Sequence, residues 1–244
     1  MDTEYIAGKH SVLEAMRSQR SIHKIWIADQ TQKSSIQPIL TEAKNSGAIL
    51  QYVDKKKLDQ MVPDIKHQGV VAQVASYQYA EVDDILSAAA EKNETPFFLI
   101  LDEIEDPHNL GSILRSCDCT GVHGVIIPKR RSAGLTASVS KTSAGAVEHI
   151  PVARVTNLGQ TIDKLKKQGI WIAGADVSAE ENIYRTDLTL PIGIVIGNEH
   201  KGIGRLIKEK CDFLIKLPMY GQINSLNASV AAGVIMYEVV RQRH

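Results

Sequence analysis

The sequence predicts an α/β protein in two parts, and three observations carry that prediction. From residue 97 onward, short apolar runs alternate with helical stretches: Phe97-Phe-Leu-Ile-Leu101, then 122–127, 170–173, 192–196 and 213–217. Each run is apolar on consecutive positions, as strands of a parallel sheet covered on both faces should be. The first 75 residues hold a smaller alternation of strand-like and helix-like segments. Between the two parts lies an acidic break, residues 76–96, with one basic residue against five acidic ones. The expected organisation is a domain over 1–76, a linker over 77–95 and a domain over 96–244.

Taken in order, Ser11 and Glu14 have capping-box spacing, so a helix is expected from there to about Arg17. Strands are expected over 22–28 and 49–53, with a polar helix over 34–45 between them and Gly47 as its stop. A short helix over 55–61 and a strand over 69–75 complete the first part. The stretch 81–91 reads as a helix with polar flanks inside the linker. Basic residues of the first part, among them Lys9, Arg17, Arg20, Lys24 and Lys55 to Lys57, read either as a solvated surface or as a patch facing a polyanion.

Composition excludes more than it identifies. The 28 basic and 28 acidic residues cancel, so net charge gives no support for a nucleic-acid partner, and 43% hydrophobic content suits an ordinary globular core. Three cysteines without an apolar leader fit a reducing, cytoplasmic setting. Cys117, Cys119 and His123 lack a fourth ligand, so small buried thiols are preferred to zinc and no metal is expected. The stretch 217–237 carries no charge, but Gln222, Asn224, Ser225, Asn227 and Ser229 are unfavourable in lipid, and a membrane span is rejected.

Neither a G-x-G-x-x-G after the first strand nor a P-loop is present, which removes the main support for dinucleotide or nucleotide-triphosphate binding. The glycine turns fall late. One is Ile194-Val-Ile-Gly197-Asn198-Glu199-His200-Lys201-Gly202-Ile-Gly204, an apolar strand breaking into a tight polar turn where backbone can approach a ligand. The other is Leu217-Pro-Met219-Tyr-Gly221 leading through Asn224-Ser225-Leu226-Asn227-Ala228 into a long helical pattern. Upstream, Asp102, Glu103, Glu105 and Asp106 follow the first strand of the second part and could hold Mg²⁺ for phosphodiester chemistry. The preferred reading is a solvated loop with Asn109 as N-cap of the helix bearing Arg115.

Together, Asn109-Leu-Gly-Ser-Ile-Leu-Arg115 and these two stretches resemble the three motifs of the SpoU (TrmH) family of RNA ribose 2'-O-methyltransferases. The resemblance runs from Phe97 to the C-terminus. The opening Tyr5-Ile-Ala-Gly8-Lys-His10-Ser-Val-Leu-Glu14-Ala is similar to the extra N-terminal domain of the ribosomal-RNA guanosine branch. What the resemblance implies is a ribosomal protein L30e-like RNA-binding domain followed by a SPOUT-type parallel-sheet domain, with the C-terminal chain tucked into a trefoil knot. It also implies S-adenosylmethionine as cofactor, a homodimer, and a guanosine of large-subunit ribosomal RNA as target. A tRNA target, or a non-catalytic RNA-binding protein on the same fold, is the alternative.

The resemblance places Asn109, Arg115, Glu199, Ser225 and Asn227 in the catalytic centre. Read alone, Glu199 serves equally as a carboxylate holding its own turn or as a contact to RNA, and Ser225 and Asn227 are explained by capping. Ile196, Gly197, Asn198, Leu217, Met219, Leu226 and Ala228 are expected to wall a slot for an adenine and a methionine chain, with Thr142 and Ser143 facing it.

Overall fold

The computed structural model describes residues 3–18 and 20–244. They form two compact units, one built from the described residues up to Gln78 together with Gly134–His149, the other from Tyr79–Ala133 and Ile150–His244.

The first unit contains β1 (Thr3–Ala7), α1 (Lys9–Arg17), β2 (Ile22–Ala28), α2 (Lys33–Ser46), β3 (Leu50–Val53), α3 (Lys55–Met61) and β4 (Val70–Ala75). Its sheet has the order β1-β4-β2-β3, with β4 antiparallel to both neighbours and β2 parallel to β3. The helix over 34–45 and its stop are found as expected, Gly47 taking the left-handed conformation at φ 70°. One strand, β1, has no sequence counterpart above, because three of its five residues are partly or fully exposed and show no apolar run. The capping box at Ser11 is corrected. Helix α1 starts at Lys9 with Gly8 before it, and Ser11 is buried, its Oγ donating to the carbonyl of Ser140 at 3.1 Å.

That bond shows why Gly134–His149 belongs here. Arg20 donates to Glu148 at 2.6 Å and to Glu4, and His149 Nε2 lies 3.0 Å from Glu14. Burial pushes the Glu148 carboxyl up, and the Arg20 guanidinium opposes the shift.

The second unit runs α4 (Val82–Glu91), β5 (Phe97–Leu101), α5 (Pro107–Thr120) and β6 (Gly124–Pro128). After the excursion that holds α6 (Ala137–Thr142), it continues with β7 (Val152–Val155), α7 (Leu158–Lys167), β8 (Trp171–Ala175), β9 (Ile192–Ile196), α8 (Arg205–Lys208), β10 (Phe213–Ile215) and α9 (Ala228–Arg243). The six strands pair in parallel in the order β10-β8-β9-β5-β6-β7. All five residues of β5 and of β9 are buried, which is the burial their unbroken apolar runs require. Strand β7 was not anticipated, since Arg154 interrupts its apolar character.

Two further expectations change. The helix inside the supposed linker is part of this unit's core: Val82, Ile85 and Ala89 pack with Phe98, Ile100, Ile126 and Ile162, while its acidic residues stay outside. And Asp106, not Asn109, caps α5, accepting from the His108 amide at 2.9 Å ahead of Pro107 in the first turn. Asn109 is thereby left inside the first turn with its side chain available. Cys117 is buried 3.7 Å from Met236 of α9, Cys119 is exposed, and His123 pairs with Glu94 at 2.9 Å. These three groups do not converge, and among the described residues no cluster of three or more His, Cys, Asp or Glu could hold a metal.

Candidate active site

The C-terminal ends of β8, β9 and β10 open onto a cleft of about 460 Å³. Such strand ends are where open parallel sheets place ligands, because the loops leaving them are free to carry side chains over a rigid base.

The turn after β9 forms one wall. A Cβ on Gly197 would overlap the carbonyl group of Gly202 and the amide of Ile203, so only glycine fits there. The turn is closed by two backbone bonds, Asn198 N–H to Gly202 O at 3.1 Å and Gly202 N–H to Asn198 O at 2.8 Å, with Gly202 at φ 67°. Inside it, Asn198 Oδ1 accepts from the amides of His200 at 2.9 Å and Lys201 at 3.3 Å, and Asn198 Nδ2 donates to the Glu103 carbonyl at 3.0 Å. The far end is tied by the Gly204 amide donating to Asp102 Oδ2 at 2.7 Å.

Two residues that the sequence offered as metal ligands therefore hold the turn, Asp102 by its carboxylate and Glu103 by its backbone carbonyl. Burial pushes Asp102 above the usual carboxylate range against the pull of the Gly204 amide, whereas Glu103 is held below it by Arg131 at 2.8 Å, with Lys201 adding at 3.7 Å.

Glu199 stands on the cleft wall and is the first member of a hydrogen-bonded line. Asn109, buried on α5, donates its Nδ2 to Glu199 Oε1 and accepts at Oδ1 from Asn227 Nδ2 at 2.9 Å. Asn227 in turn caps α9, its Oδ1 accepting from the Ser229 amide at 3.0 Å and the Val230 amide at 3.3 Å. Residues 90 and 118 positions away from Asn109 are thus locked to it, and the orientation of the Glu199 carboxylate is set from the helix side. Among the described residues Glu199 Oε2 has no protein partner and remains an acceptor.

The other wall is the segment between β10 and α9. Leu217, Met219, Ser225, Leu226 and Ala228 line the cleft with Ile196, Gly197 and Asn198, so these expected positions come together. Tyr220 and Ile223 of the same segment are 95% and 77% exposed. Arg115 lies on α5, exposed, outside the cleft lining and without a hydrogen bond or ion pair among the described residues. Thr142 and Ser143 are not among the residues that line the cleft. They belong to the excursion that packs with the N-terminal sheet, where Ser143 is buried and donates to Ser140 O at 3.0 Å.

Sequence reading missed the third side. Ala175, Asp176, Val177 and Ser178 line the cleft from the end of β8. Burial raises Asp176, yet hydrogen bonds from Ser178 at 2.8 and 2.6 Å and from Lys208 outweigh it and hold the carboxyl below its usual range. A position just beyond a predicted parallel strand was the only signal available for it.

Comparison with known proteins gives the family and the fold. Residues 96–237 match the SpoU rRNA methylase family, and residues 5–80 match the RNA 2'-O ribose methyltransferase substrate-binding domain. A Bacillus subtilis (strain 168) protein named as a TrmH family tRNA/rRNA methyltransferase, YacO, is 59% identical over 99% of this chain and 96% of its own length. A Staphylococcus haemolyticus protein named to the same family is 50% identical over 100% of this chain and 98% of its own. Among solved structures, the SpoU methyltransferase AviRb of Streptomyces viridochromogenes, crystallised with AdoMet, superposes with a TM-score of 0.82 at 25% identity, covering 99% of this chain and 90% of that one.

Proposed function

The chain belongs to the SpoU (TrmH) family of RNA methyltransferases, and on that premise we propose that it methylates a ribose 2'-hydroxyl of a guanosine in large-subunit ribosomal RNA, using S-adenosylmethionine. The observation that carries the reading is the line Glu199–Asn109–Asn227, whose first member stands on the wall of the cleft. The cleft suits the cofactor: its volume lies in the range of cofactor sites, Ile196, Leu217, Met219, Leu226, Ala228 and Ile235 give it apolar wall, and polar side chains such as Asp176, Glu199 and Ser225 stand on each of its three sides. When bound there, S-adenosylmethionine supplies a methyl group on a sulfonium, which leaves by direct displacement.

The chain's own residues then position, exclude water and manage a proton. The Gly197 turn lets backbone approach the cofactor, and Leu217 and Leu226 cover its apolar parts. Asn109 and Asn227 fix the Glu199 carboxylate rather than reaching the ribose themselves, so both are positioning residues. Ser225, on the cleft wall, faces the ribose. Arg115 supplies a cationic fork that orients the phosphate beside the target and stabilises negative charge as the 2'-hydroxyl passes its proton to Glu199 Oε2.

The chain works as a homodimer in the cytoplasm, its C-terminal segment threaded as a trefoil knot. Dimerisation is supported by Val230, Val234 and Tyr237, which lie on one face of α9 and are 50%, 38% and 57% exposed. A ribosomal target is supported by the family description and by a separate N-terminal unit of substrate-binding type. A tRNA target is the second reading, favoured by the double name of the Bacillus relative. Mapping ribose methylation in total RNA from a strain lacking the protein tests both. Loss of one mark in large-subunit ribosomal RNA is expected, loss only in tRNA selects the alternative, and no loss refutes the reading.

A further inference from the structure

A cavity of about 780 Å³ opens in the N-terminal unit, and none of the residues assigned above to methyl transfer lines it. Its polar lining includes the cations Lys9, Lys55 and Lys66 and the amides Gln30, Gln32 and Gln68. Cations outnumber the two lining carboxylates, and one of these, Asp59, is occupied, 3.0 Å from His67 Nε2.

The floor is built rather than incidental. His67 is 4% exposed and its Nδ1 accepts from the Gly69 amide at 3.0 Å, which makes Nε2 the donor to Asp59. Asp64, Gln68 and Gly69 hold φ of 64°, 53° and 82°, so the loop between α3 and β4 is kept in a conformation that its two non-glycine residues adopt only under constraint. Lys9 closes the opposite side, its Nζ donating to Ser35 Oγ at 2.8 Å and its amide to Gln68 Oε1 at 3.4 Å. Gln68 Nε2 is left as a donor to the cavity.

An amide presents adjacent donor and acceptor groups, the complement of a base edge, and lysine presents a point charge to phosphate. A paired base shows neither its Watson–Crick edge nor a shape that can enter a cavity, whereas a bulged or looped-out nucleotide shows both. We propose that this cavity takes up one unpaired nucleotide of the RNA substrate, with its base edge against Gln30, Gln32 and Gln68 and its phosphate among Lys9, Lys55 and Lys66. The inference rests on the RNA reading above and adds to it a second, non-catalytic recognition point that selects the substrate by an extruded base.

The test uses the full chain and two RNA hairpins that differ only by one unpaired nucleotide in the stem, with binding read by fluorescence anisotropy at two salt concentrations. The protein is expected to prefer the bulged hairpin by about tenfold. The double substitution Gln30→Ala/Gln68→Ala, at exposed positions, is expected to abolish the preference without altering the salt dependence. Lys66→Ala is expected to weaken both complexes and reduce the slope of log affinity against log salt by about one. Equal affinity of the unaltered protein for the two hairpins overturns the proposal, and so does a preference that survives the double substitution. Transfer of labelled methyl groups to total RNA by the same preparation reports on the enzymatic reading separately. Transfer without a bulge preference therefore overturns the cavity alone, and no binding to either RNA together with no transfer overturns both.

Discussion

Gly197→Ala gives the sharpest test of how the cleft is built. The added methyl would meet backbone atoms of Gly202 and Ile203, which cannot rotate away as a flexible side chain can. Two responses are open to the chain. It keeps the turn and accepts overpacking of about 1 to 3 kcal/mol. Or it opens the turn and loses the bonds of 3.1 and 2.8 Å between Asn198 and Gly202, roughly 1 kcal/mol each. Either way the expected loss of stability falls between about 1 and 3 kcal/mol, near 2 if the turn opens. If the turn opens, the wall that Gly197, Asn198 and Glu199 provide is displaced, and cofactor affinity falls by roughly 30-fold or more, at about tenfold per 1.4 kcal/mol. Gly221→Ala is the control: nothing lies within 4 Å of its added Cβ, so stability should stay within about 0.5 kcal/mol. Urea denaturation paired with calorimetric titration of S-adenosylmethionine reads both quantities. A Gly197→Ala protein with unchanged midpoint and normal titration would refute the close approach on which the cleft's geometry depends.

Three other outcomes are expected. Arg115→Lys should leave stability and cofactor affinity unchanged, because Arg115 is exposed and without partners among the described residues, while single-turnover methylation falls by about 100-fold. Near-normal turnover would remove Arg115 from the mechanism. Asp102→Asn should be at least as stable as the unaltered chain at neutral pH, since Asn keeps an acceptor for the Gly204 amide and removes a charge that burial disfavours. The raised carboxyl binds its proton more tightly folded than unfolded, so its contribution is present below the ordinary carboxylate range and lost as pH rises through the raised value. The advantage of the variant should therefore shrink on acidification, and denaturation midpoints across acid and neutral pH that run parallel for the two proteins would contradict this. Ile85→Ala should destabilise the chain by about 3 kcal/mol, as a fully buried core residue does, whereas a residue in a true linker would give a change near zero in the same denaturation experiment.

Much of this protein was legible from local pattern. Unbroken apolar runs identify β5 and β9 because a strand covered on both faces has no polar position to reveal an alternation. The Gly197 and Leu217 to Ala228 stretches could be picked out because close backbone approach and a helix start each require particular residue types. Patterns of that kind are short-range, so they stop where the deciding contact is distant in sequence. Ser11 has the spacing of a capping residue yet is used by Ser140, and Asn109 has the type of an N-cap yet is held by Glu199 and Asn227. The stretch 81–91 has the charge of a linker, but three apolar residues on one face of its helix found a core to enter. Thr142 and Ser143 are small and polar like cleft residues, and the excursion that carries them returns to the N-terminal sheet through Arg20 and Glu148. Residue types and periodicity thus determined which elements form and which turns are special. Only the tertiary structure decided which polar side chains meet, because a hydrogen bond between residues 90 or 118 positions apart leaves no trace in the spacing of either.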